Sequence, residues 1–381
     1  MKAFACYRLP YRHHATLMLQ HEGEAEVIGR LAQLGDKEGF VIAPFAPSQA
    51  CPILLIHPDE TRHVPVASFT ASRRNSNSIA TQEKLCHDAG KTTTSDRENY
   101  QLDFDAFHDE LLQGNFRKIV LARRSDIQLA EDVLMRDTAE DDGAQQDDAR
   151  QLPGYSLFMK ACLEYPRLMV ALVYTPQSGL WLMATPEVLL EGDASGFSTM
   201  SLAGTQQAEP SRLVADWPVE GVEWSEKNRE EQQYVTDYIE RCVSSFTSRY
   251  SLRGPYTTMA ANLYHLRTDI RFSLPHASML GEVLSRLYPT PAVCGIPKEE
   301  TQRFIMQHEH HPRRYYSGFV GPLSPQGSTH LFVSLRCANI LPGGECRLYA
   351  GGGLLKESEP EKEWEETEAK MQTMKKIFGA E

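Results

Sequence analysis

Short apolar runs separated by turn residues fill much of the sequence and predict strands joined in hairpins. Residues 331–341 are rich in apolar and β-branched side chains, and residues 346–350 form the returning run. Between them, residues 342–345 (Pro-Gly-Gly-Glu) have the chemistry of a tight turn. A turn centred on its two glycines places Arg336 roughly opposite Gly351, beside three glycines whose bare backbone admits a ligand.

Residues 167–205 predict a β-meander made of two consecutive hairpins. Its strands alternate with turns and cover residues 168–174, 180–184, 187–191 and 197–203. The second hairpin places Glu187 roughly opposite Leu202 or Ala203, next to Gly204. A glutamate in an otherwise apolar strand is either a carboxylate satisfied by hydrogen bonds or a functional group. Further strand patterns cover residues 39–43, 52–57 and 118–123.

Apolar side chains at three- and four-residue intervals predict helices. The strongest pattern covers residues 224–250, and Glu231 belongs to its apolar stripe, where it is either a capped structural residue or a ligand. Near the C-terminus, Ser358 is the predicted N-cap of a helix that contains Pro360 in its first turn. Shorter helix patterns cover residues 22–34, 104–112 and 157–163. Many hairpins with few strand-helix-strand crossovers indicate an α+β fold with mainly antiparallel sheets.

The C-terminal helix places charged and apolar residues on one face, namely Glu363, Glu366, Lys370, Met374 and Ile377. The helix dipole favours acidic residues near a helix N-terminus, so a solvated helix end is one interpretation. The alignment of the carboxylates with residues that prefer burial favours a metal or anion site instead.

The composition indicates a globular cytosolic protein. The chain has 381 residues, 41% of them hydrophobic, which suffices for one large or two medium cores. No run of about 18 apolar residues predicts a membrane span, and residues 1–14 lack the apolar segment of a signal peptide. Eight cysteines without a CxxC pair indicate reduced, mostly buried thiols. A net charge of −12 argues against nucleic acid as a partner, and an anionic substrate would need local cations or a divalent metal.

Two polar segments predict loops, and a histidine cluster predicts no site. Residues 71–97 are rich in Ser, Thr, Asn and charge and indicate a loop or linker, and the acidic residues 137–150 indicate an exposed loop. The spacing of His308, His310 and His311 is poor for tetrahedral zinc and indicates a solvated helix end.

A series of ordered blocks runs through the rest of the chain. It begins with KIVLAR at 118–123, ATPEVLL at 184–190, LAGT at 202–205, WSEKNREE at 224–231 and HLRT at 265–268. It continues with PTPAVCGIP at 289–297, YSG at 316–318, LRCA at 335–338, AGGG at 350–353 and EWEET at 363–367. In this order the blocks resemble the chorismate-utilising enzymes, a family of isochorismate, salicylate, anthranilate and aminodeoxychorismate synthases. The resemblance covers residues 115–378, about two thirds of the chain.

The resemblance implies a magnesium-dependent enzyme whose substrate is the dicarboxylate chorismate. The implied fold is a large sandwich of two antiparallel sheets with helices outside. Residues 1–95 would complete this fold, and residues 96–381 would form the chorismate-binding catalytic region. Glu231 and Glu366 match the family's Mg²⁺-binding glutamates, and Glu363 lies close to them.

Other positions match the family's substrate site. Arg336 and Tyr316 match residues that hold the enolpyruvyl carboxylate, together with the backbone near Gly353 and with Lys370. The remaining positions expected to line the substrate are Ala203, Gly204, Thr205, His265 and Ala292.

The resemblance also implies that water is the nucleophile. Lys118 matches the lysine with which isochorismate and salicylate synthases activate water, and Ala203 replaces the nucleophilic lysine of aminodeoxychorismate synthases. Lys118 would be the general base for attack on ring C2, and Glu187 would donate a proton to the departing C4 hydroxyl. The structural alternatives are an exposed strand-end lysine, a satisfied strand carboxylate and, for His265, a packed loop histidine.

The implied protein is a cytoplasmic isochorismate synthase of the menaquinone pathway, expected to be a monomer without membrane or nucleic-acid partners. The alternatives are a salicylate synthase, a siderophore-pathway isochorismate synthase and a catalytically silent relative that binds chorismate-like ligands. The residues around Ala292, and Thr268, favour isochorismate over salicylate synthases. Asn228 and Gln232 replace the Asp and His of many relatives, which would weaken one charge and one hydrogen bond around the metal.

Overall fold

The computed structural model describes residues 1–66, 86–88, 94–129, 151–208, 218–260 and 263–380. Nineteen strands lie within these residues: β1 (Ala3–Arg8), β2 (His14–Gln20), β3 (Glu26–Ile28), β4 (Gly39–Ala43), β5 (Ile53–Ile56), β6 (Glu60–Pro65), β7 (Cys86–Asp88), β8 (Lys118–Leu129), β9 (Met169–Thr175), β10 (Gly179–Thr185), β11 (Val188–Asp193), β12 (Gly196–Gln207), β13 (Tyr250–Ala260), β14 (Leu263–Phe272), β15 (Gly295–Ile296), β16 (Phe319–Leu323), β17 (Thr329–Val333), β18 (Cys337–Ile340) and β19 (Glu345–Leu354). The same residues contain six α-helices: α1 (Thr94–Leu112), α2 (Tyr155–Glu164), α3 (Glu226–Ser244), α4 (Leu280–Leu287), α5 (Lys298–His308) and α6 (Pro360–Phe378).

The described strands form two antiparallel sheets. The first sheet has the order β15-β8-β19-β18-β10-β9-β1-β2-β6, with β7 also paired to β8. The second sheet has the order β13-β14-β12-β11-β17-β16-β4-β5-β3. Strands from residues 1–66 therefore extend both sheets, whereas a functional division of the chain at residue 95 stays a prediction.

Alternating side chains along the strands build a core between the two sheets. In β1, Ala3, Ala5 and Tyr7 point to one face, where they join a buried cluster that includes Trp181 of the first sheet and Phe332 of the second. The other face of each sheet also carries apolar side chains, so most central strands are buried on both sides.

Helices cover the outer faces of both sheets. Met374 and Ile377 of α6 pack with α2 on the outside of the first sheet. Val235 and Ile239 of α3 pack with α4 on the outside of the second sheet. This arrangement confirms the predicted α+β sandwich of antiparallel sheets with helices outside.

The predicted β-meander is wrong, because its two hairpins belong to different sheets. Strands β9 and β10 pair in the first sheet, and β11 and β12 pair in the second. The chain crosses between the sheets at Pro186 and Glu187, so Glu187 precedes β11 instead of lying within a strand. Apolar runs buried on both faces do not reveal which sheet they join.

The predicted strand 331–341 is divided in the same way. Strand β17 belongs to the second sheet and β18 to the first, and residues 334–336 connect them. Arg336 has a φ of 45°, in the left-handed region that a non-glycine residue seldom adopts. The pairing of Cys337 with Tyr349 puts Arg336 level with Ala350, one residue from the predicted Gly351.

Several element boundaries also differ from the predictions. The predicted helix 22–34 is wrong, because residues 26–28 pair with β5 and a 3₁₀ turn follows at Leu31–Asp36. Helix α1 begins ten residues before the predicted start, since its first turns are polar and carry no apolar period. Helix α3 is shorter than predicted, because its C-cap is Ser245 and the chain enters β13 at Tyr250. The strands at residues 3–8, 14–20 and 60–65 were not predicted.

Other sequence predictions concern the cap of α6, the thiols and the loops. The N-cap of α6 is Glu359, because the hydroxyl of Ser358 accepts from Leu355 N and donates to Glu363 instead. The seven cysteines whose side chains are described are buried and form no disulfide with one another, as predicted. In the described part of the chain, no helix is long and apolar enough to cross a membrane. The acidic loop 137–150 and most of residues 71–97 lie outside the described residues.

Candidate active site

The two crossings between the sheets lie side by side and form the floor of a cleft. Val333 N donates to Glu187 O (2.9 Å), and Ala184 N donates to Arg336 O (3.0 Å). Thr185 Oγ1 donates to Val333 O (2.6 Å) and ties the two crossings together. Both crossings leave the sheet ladders here, so the side chains of Glu187 and Arg336 face the same cleft.

The cleft collects most of the site residues predicted from the sequence. It encloses about 620 Å³ of space outside atoms, its open mouth included, and the centre of a water molecule can reach about 60 Å³ of it. A ring-sized ligand therefore has to displace contacts that polar side chains make with one another across the cleft. Among the predicted residues, the lining includes Glu187, Ala203, Gly204, Thr205, Glu231, His265, Ala292, Tyr316, Arg336, Gly353 and Lys370.

Glu187 is a buried acid. Only 3% of the surface of Glu187 is exposed to solvent. Burial raises the pKa of Glu187 to about 8, although the positive charges of Lys118, Lys370 and Arg336 act in the opposite direction. Glu187 is therefore mostly protonated at neutral pH and can donate a proton.

A β-bulge at Gly204 orients two further side chains. The pairing of β12 with β14 shifts between Ala203 and Thr205, and Gly204 is the additional residue, with a φ of 69°. Gly204 N donates to Glu231 Oε2 (3.2 Å), and Gly204 O lies 3.0 Å from His265 Nδ1. A Cβ at this position would lie 3.2 Å from Asn228 O, so the close approach of α3 also favours glycine.

His265 is a neutral imidazole in the wall of the cleft. Burial, and then the charges of Arg336 and Lys370, lower the pKa of His265 well below its usual value. The carbonyl of Gly204 can only accept, so Nδ1 carries the proton and Nε2 is left as an acceptor. Arg336 Nη2 lies 3.4 Å from this Nε2.

Gln232 anchors the bulge from the side of α3, a role that the sequence pattern did not reveal. Its Oε1 accepts from Ala203 N (2.9 Å), and its Nε2 donates to Ser201 Oγ (2.8 Å) and Thr268 Oγ1 (3.3 Å). The amide can donate and accept at once, which these partners require. Gln232 thus has hydrogen-bond partners for both its oxygen and its nitrogen, and the expected weakening of a hydrogen bond around the metal stays a prediction.

Arg336, Tyr316 and Lys370 form the cationic end of the cleft. Burial lowers the pKa of Arg336 to about 10, so its guanidinium stays charged at neutral pH. Its Nη1 donates to Lys370 O (3.3 Å), and Lys370 Nζ donates to Gly351 O (2.8 Å). The ring of Tyr316 stacks on Tyr349 with centroids 5.4 Å apart. Two cations and a phenol hydroxyl at this end are suited to a carboxylate.

Lys118 lies directly behind the cleft wall and is fully buried. Its Nζ donates to Pro291 O (2.8 Å) and lies 3.1 Å from Glu231 Oε1. The alternative of an exposed strand-end lysine is therefore wrong. The sequence did not predict how the neighbouring segment is held: Arg313 donates to Val293 O and Val120 O (2.7 Å each) and is paired with the buried Glu309.

Three glutamates converge on the glycine run, and each is paired with its own lysine. Glu231 is paired with Lys118, Glu363 with Lys227, and Glu366 with Lys370 at 2.7 Å. A Cβ on Gly353 would lie 2.2 Å from Glu231 Oε1, and a Cβ on Gly352 would lie 3.0 Å from Glu363 Oε2. Because these glycines carry no side chain, the carboxylates can occupy the space beside them.

The donor set of these glutamates fits a hard divalent cation. Glu363 Oε2 is buried and has no hydrogen-bond partner among the described residues. Burial, and then the negative charge of Glu366, raise the pKa of Glu363, so the ion pair with Lys227 offsets these two effects only in part. Carboxylate oxygens are the ligands that Mg²⁺ prefers. As the side chains stand, no three acidic, His or Cys side chains of the described residues are arranged to hold a metal ion, because each glutamate faces its lysine.

The histidine cluster that the sequence assigns to a helix end lies at the end of α5, which ends at His308. Within the described residues, His308 Nδ1 lies 2.9 Å from Phe304 O, and His310 Nδ1 contacts Asp103. The ring of His308 therefore contacts its own helix α5, and the ring of His310 contacts α1.

In a comparison with known protein families, residues 158–379 match a family model described as chorismate binding enzyme. The chain is 31% identical over 202 residues to isochorismate synthase EntC of Escherichia coli K12, covering 53% of this chain and 51% of that protein. It is 24% identical to isochorismate synthase DhbC of Bacillus subtilis, over 94% of this chain and 85% of that protein. The chain thus spans about half the length of EntC in this match.

A similar fold is found among solved structures. The structure of MenF, the menaquinone-specific isochorismate synthase of Escherichia coli, superimposes with a TM-score of 0.71 and 23% identity. The superposition covers 99% of this chain and 88% of that one. At this identity the likeness concerns the fold.

Proposed function

The chain belongs to the family of chorismate binding enzymes, and from this premise we propose that it is a Mg²⁺-dependent isochorismate synthase. The observation that carries the proposal is Glu187, a buried acid whose pKa is raised to about 8, in the cleft that also holds Arg336. A carboxyl group that keeps its proton at neutral pH is what the loss of a hydroxide from the ring requires.

The cationic end of the cleft would bind a carboxylate of chorismate. Arg336 offers a planar fork of donors, and Lys370 and the Tyr316 hydroxyl lie at the same end. Glu231, Glu363 and Glu366 would hold Mg²⁺. When bound, this cation would neutralise the second carboxylate of the substrate and fix the ring between the two ends of the cleft.

The proposed reaction replaces the C4 hydroxyl by a hydroxyl at C2 whose oxygen comes from water, without net change in composition. Lys118, which this step requires as the free amine, takes a proton from a water molecule whose oxygen forms a bond to C2. The ring double bonds shift, the C4–O bond breaks, and Glu187 gives its proton to the departing oxygen, which leaves as water. Lys118 then returns its proton through solvent, and Glu187 regains one, which restores both residues. In the structure Lys118 faces Glu231 and Pro291 O, so the reaction needs Lys118 to turn towards the cleft.

Water is the proposed nucleophile because Ala203 provides none. The methyl group of Ala203 lies in the wall of the cleft beside Gly204 and Thr205. A covalent intermediate at this position is chemically impossible with an alanine side chain.

A salicylate synthase is the second candidate, since elimination of pyruvate from isochorismate could follow in the same cleft. Small apolar Ala292 at the cleft wall offers no hydroxyl for that step. For the pathway we propose menaquinone synthesis, supported by 33% sequence identity over 201 residues to isochorismate synthase MenF of Escherichia coli K12, with siderophore synthesis as the alternative suggested by the similarity to EntC and DhbC. A cytoplasmic monomer is part of the proposal.

The test is to incubate the purified protein with chorismate, in Mg²⁺ or in EDTA, and to separate the products by chromatography. We expect isochorismate alone, formed only with Mg²⁺. Salicylate together with pyruvate would favour the second candidate. Chorismate recovered unchanged under both conditions would contradict both and favour a silent relative.

A further inference from the structure

The three lysines that pair with Glu231, Glu363 and Glu366 are not equivalent. Lys118 is fully buried and also donates to Pro291 O, and Lys370 also donates to Gly351 O. Among the described residues, Lys227 donates to Glu363 alone, and its side chain is 28% exposed. Lys227 is therefore the cation that can leave the cluster for solvent without breaking a bond to the backbone.

The position of Lys227 on α3 shows that Glu363, and not the helix, holds its ammonium. Lys227 lies in the first turn of α3, where the helix dipole disfavours a positive charge. Its side chain nevertheless reaches from α3 to α6, where the Glu363 side chain is only 2% exposed. A buried carboxylate without a nearby cation is costly, so this ion pair compensates Glu363 within the protein.

Glu363 is built to keep its place when Lys227 leaves. Its Oε1 also accepts from Ser358 Oγ (2.8 Å), which holds the carboxylate from the side of the loop before α6. Its Oε2 is buried, has no partner among the described residues, and lies towards Gly352. One oxygen is thus available to a second cation while the other stays anchored.

We propose that Lys227 is the resident cation of the Glu363 carboxylate and that a divalent cation bound by the three glutamates displaces the Lys227 ammonium into solvent. This inference rests on the proposed Mg²⁺ dependence and adds a residue that sets the metal affinity. The exchange removes one positive charge from the cluster as the metal adds two, which limits the excess of positive charge. Lys227 would therefore compete with the metal and keep the metal-free cluster compensated.

The first test measures Mg²⁺ binding by calorimetry in the absence of substrate. Lys227→Met keeps an unbranched side chain of nearly the same length and removes the charge, and we expect it to bind Mg²⁺ on the order of ten-fold more tightly than the wild type. Lys227→Arg keeps the charge and should bind like the wild type. Lys362→Met is the matched control: it removes the same charge one residue from Glu363, but Lys362 is exposed and paired with Glu359. An unchanged or weaker affinity of Lys227→Met would overturn the proposal.

The second test needs no substitution and remains available if Lys227→Met does not fold. The wild-type protein is treated briefly with acetic anhydride, with and without Mg²⁺, and acetylation of each lysine is measured by mass spectrometry. We expect Mg²⁺ to raise the labelling of Lys227 several-fold, because its amine leaves Glu363, and to leave Lys362 unchanged. Equal or lower labelling of Lys227 with Mg²⁺ would contradict displacement.

Chorismate turnover by the wild type separates failure of this inference from failure of the proposed function. Turnover with Mg²⁺, together with no tightening in Lys227→Met and no rise in labelling, would overturn the role of Lys227 alone. Absence of turnover, together with tightening and increased labelling, would support Lys227 while contradicting the isochorismate synthase. If neither protein binds Mg²⁺, there is no exchange and the inference is wrong.

Discussion

Glu187 should make the stability of the ligand-free protein fall as the pH rises, which is unusual for a carboxyl group. Its pKa is about 8 in the folded protein and 4.5 in the reference state, because burial disfavours the carboxylate. Between these values the folded protein binds the proton and the unfolded chain does not. The free energy of unfolding therefore decreases with increasing pH throughout this window.

The size of the effect follows from the pKa difference. Each pKa unit corresponds to about 1.4 kcal/mol, so Glu187 alone would remove up to about 5 kcal/mol from the free energy of unfolding by high pH. About 3 kcal/mol of this loss falls between pH 5.5 and pH 8. Glu187→Gln cannot ionise and keeps the shape of the protonated acid. It should therefore exceed the stability of the wild type by about 1 kcal/mol at pH 5.5 and by about 4 kcal/mol at pH 8.

Urea unfolding of both proteins at several pH values, with EDTA present, measures this difference directly. Glu191→Gln is the control, because Glu191 follows Glu187 closely in the chain but is partly exposed, and a hydrogen bond from His330 lowers the pKa of Glu191. That stabilising effect is present above the unfolded pKa and is lost as the pH falls, so the control should not gain stability at pH 8. A constant difference between Glu187→Gln and the wild type from pH 5.5 to 8 would refute a buried, protonated Glu187.

Three substitutions test other parts of the cleft. Lys118→Ala should lower kcat by about 10²–10⁴-fold while circular dichroism shows a folded protein, and a near-normal rate would contradict the general base. Arg336→Lys should lose the paired donors and raise KM more than about ten-fold, and an unchanged KM would exclude Arg336 from carboxylate binding. Gln232→Leu leaves Ala203 N buried without its acceptor, so urea unfolding should show a loss of about 1–3 kcal/mol, and equal stability would mean that the bulge does not depend on Gln232.

The sequence predicts the fold class because its local signals are strong. The turn at residues 342–345 and the turn after β11 both appear as predicted, with Asp193 paired to Gly196 across the latter. The spacing of Glu363, Glu366 and Lys370 also places them on one face of α6, where Glu366 and Lys370 contact each other. Hairpins and helix faces depend on neighbouring residues, so one sequence suffices to predict them.

The sheet crossings and the charge pairs depend on contacts between distant residues. The run from Leu331 to Leu341 is apolar almost throughout, and only the positive φ of Arg336 shows where the chain leaves one sheet for the other. Lys227 lies in a polar first turn of α3, and its contact with Glu363 spans 136 residues. No periodicity links such positions, which is why the crossings and this ion pair were missed.

The most direct measurement is the reaction of chorismate with the Mg²⁺-loaded protein in water enriched in oxygen-18, followed by mass spectrometry of the product. Water attack on C2 predicts isochorismate that carries one heavy oxygen in its ring hydroxyl, with no product from Glu187→Gln under the same conditions. Isochorismate without the label would show that the hydroxyl group migrates within the molecule. That result would contradict the roles of Lys118 and Glu187.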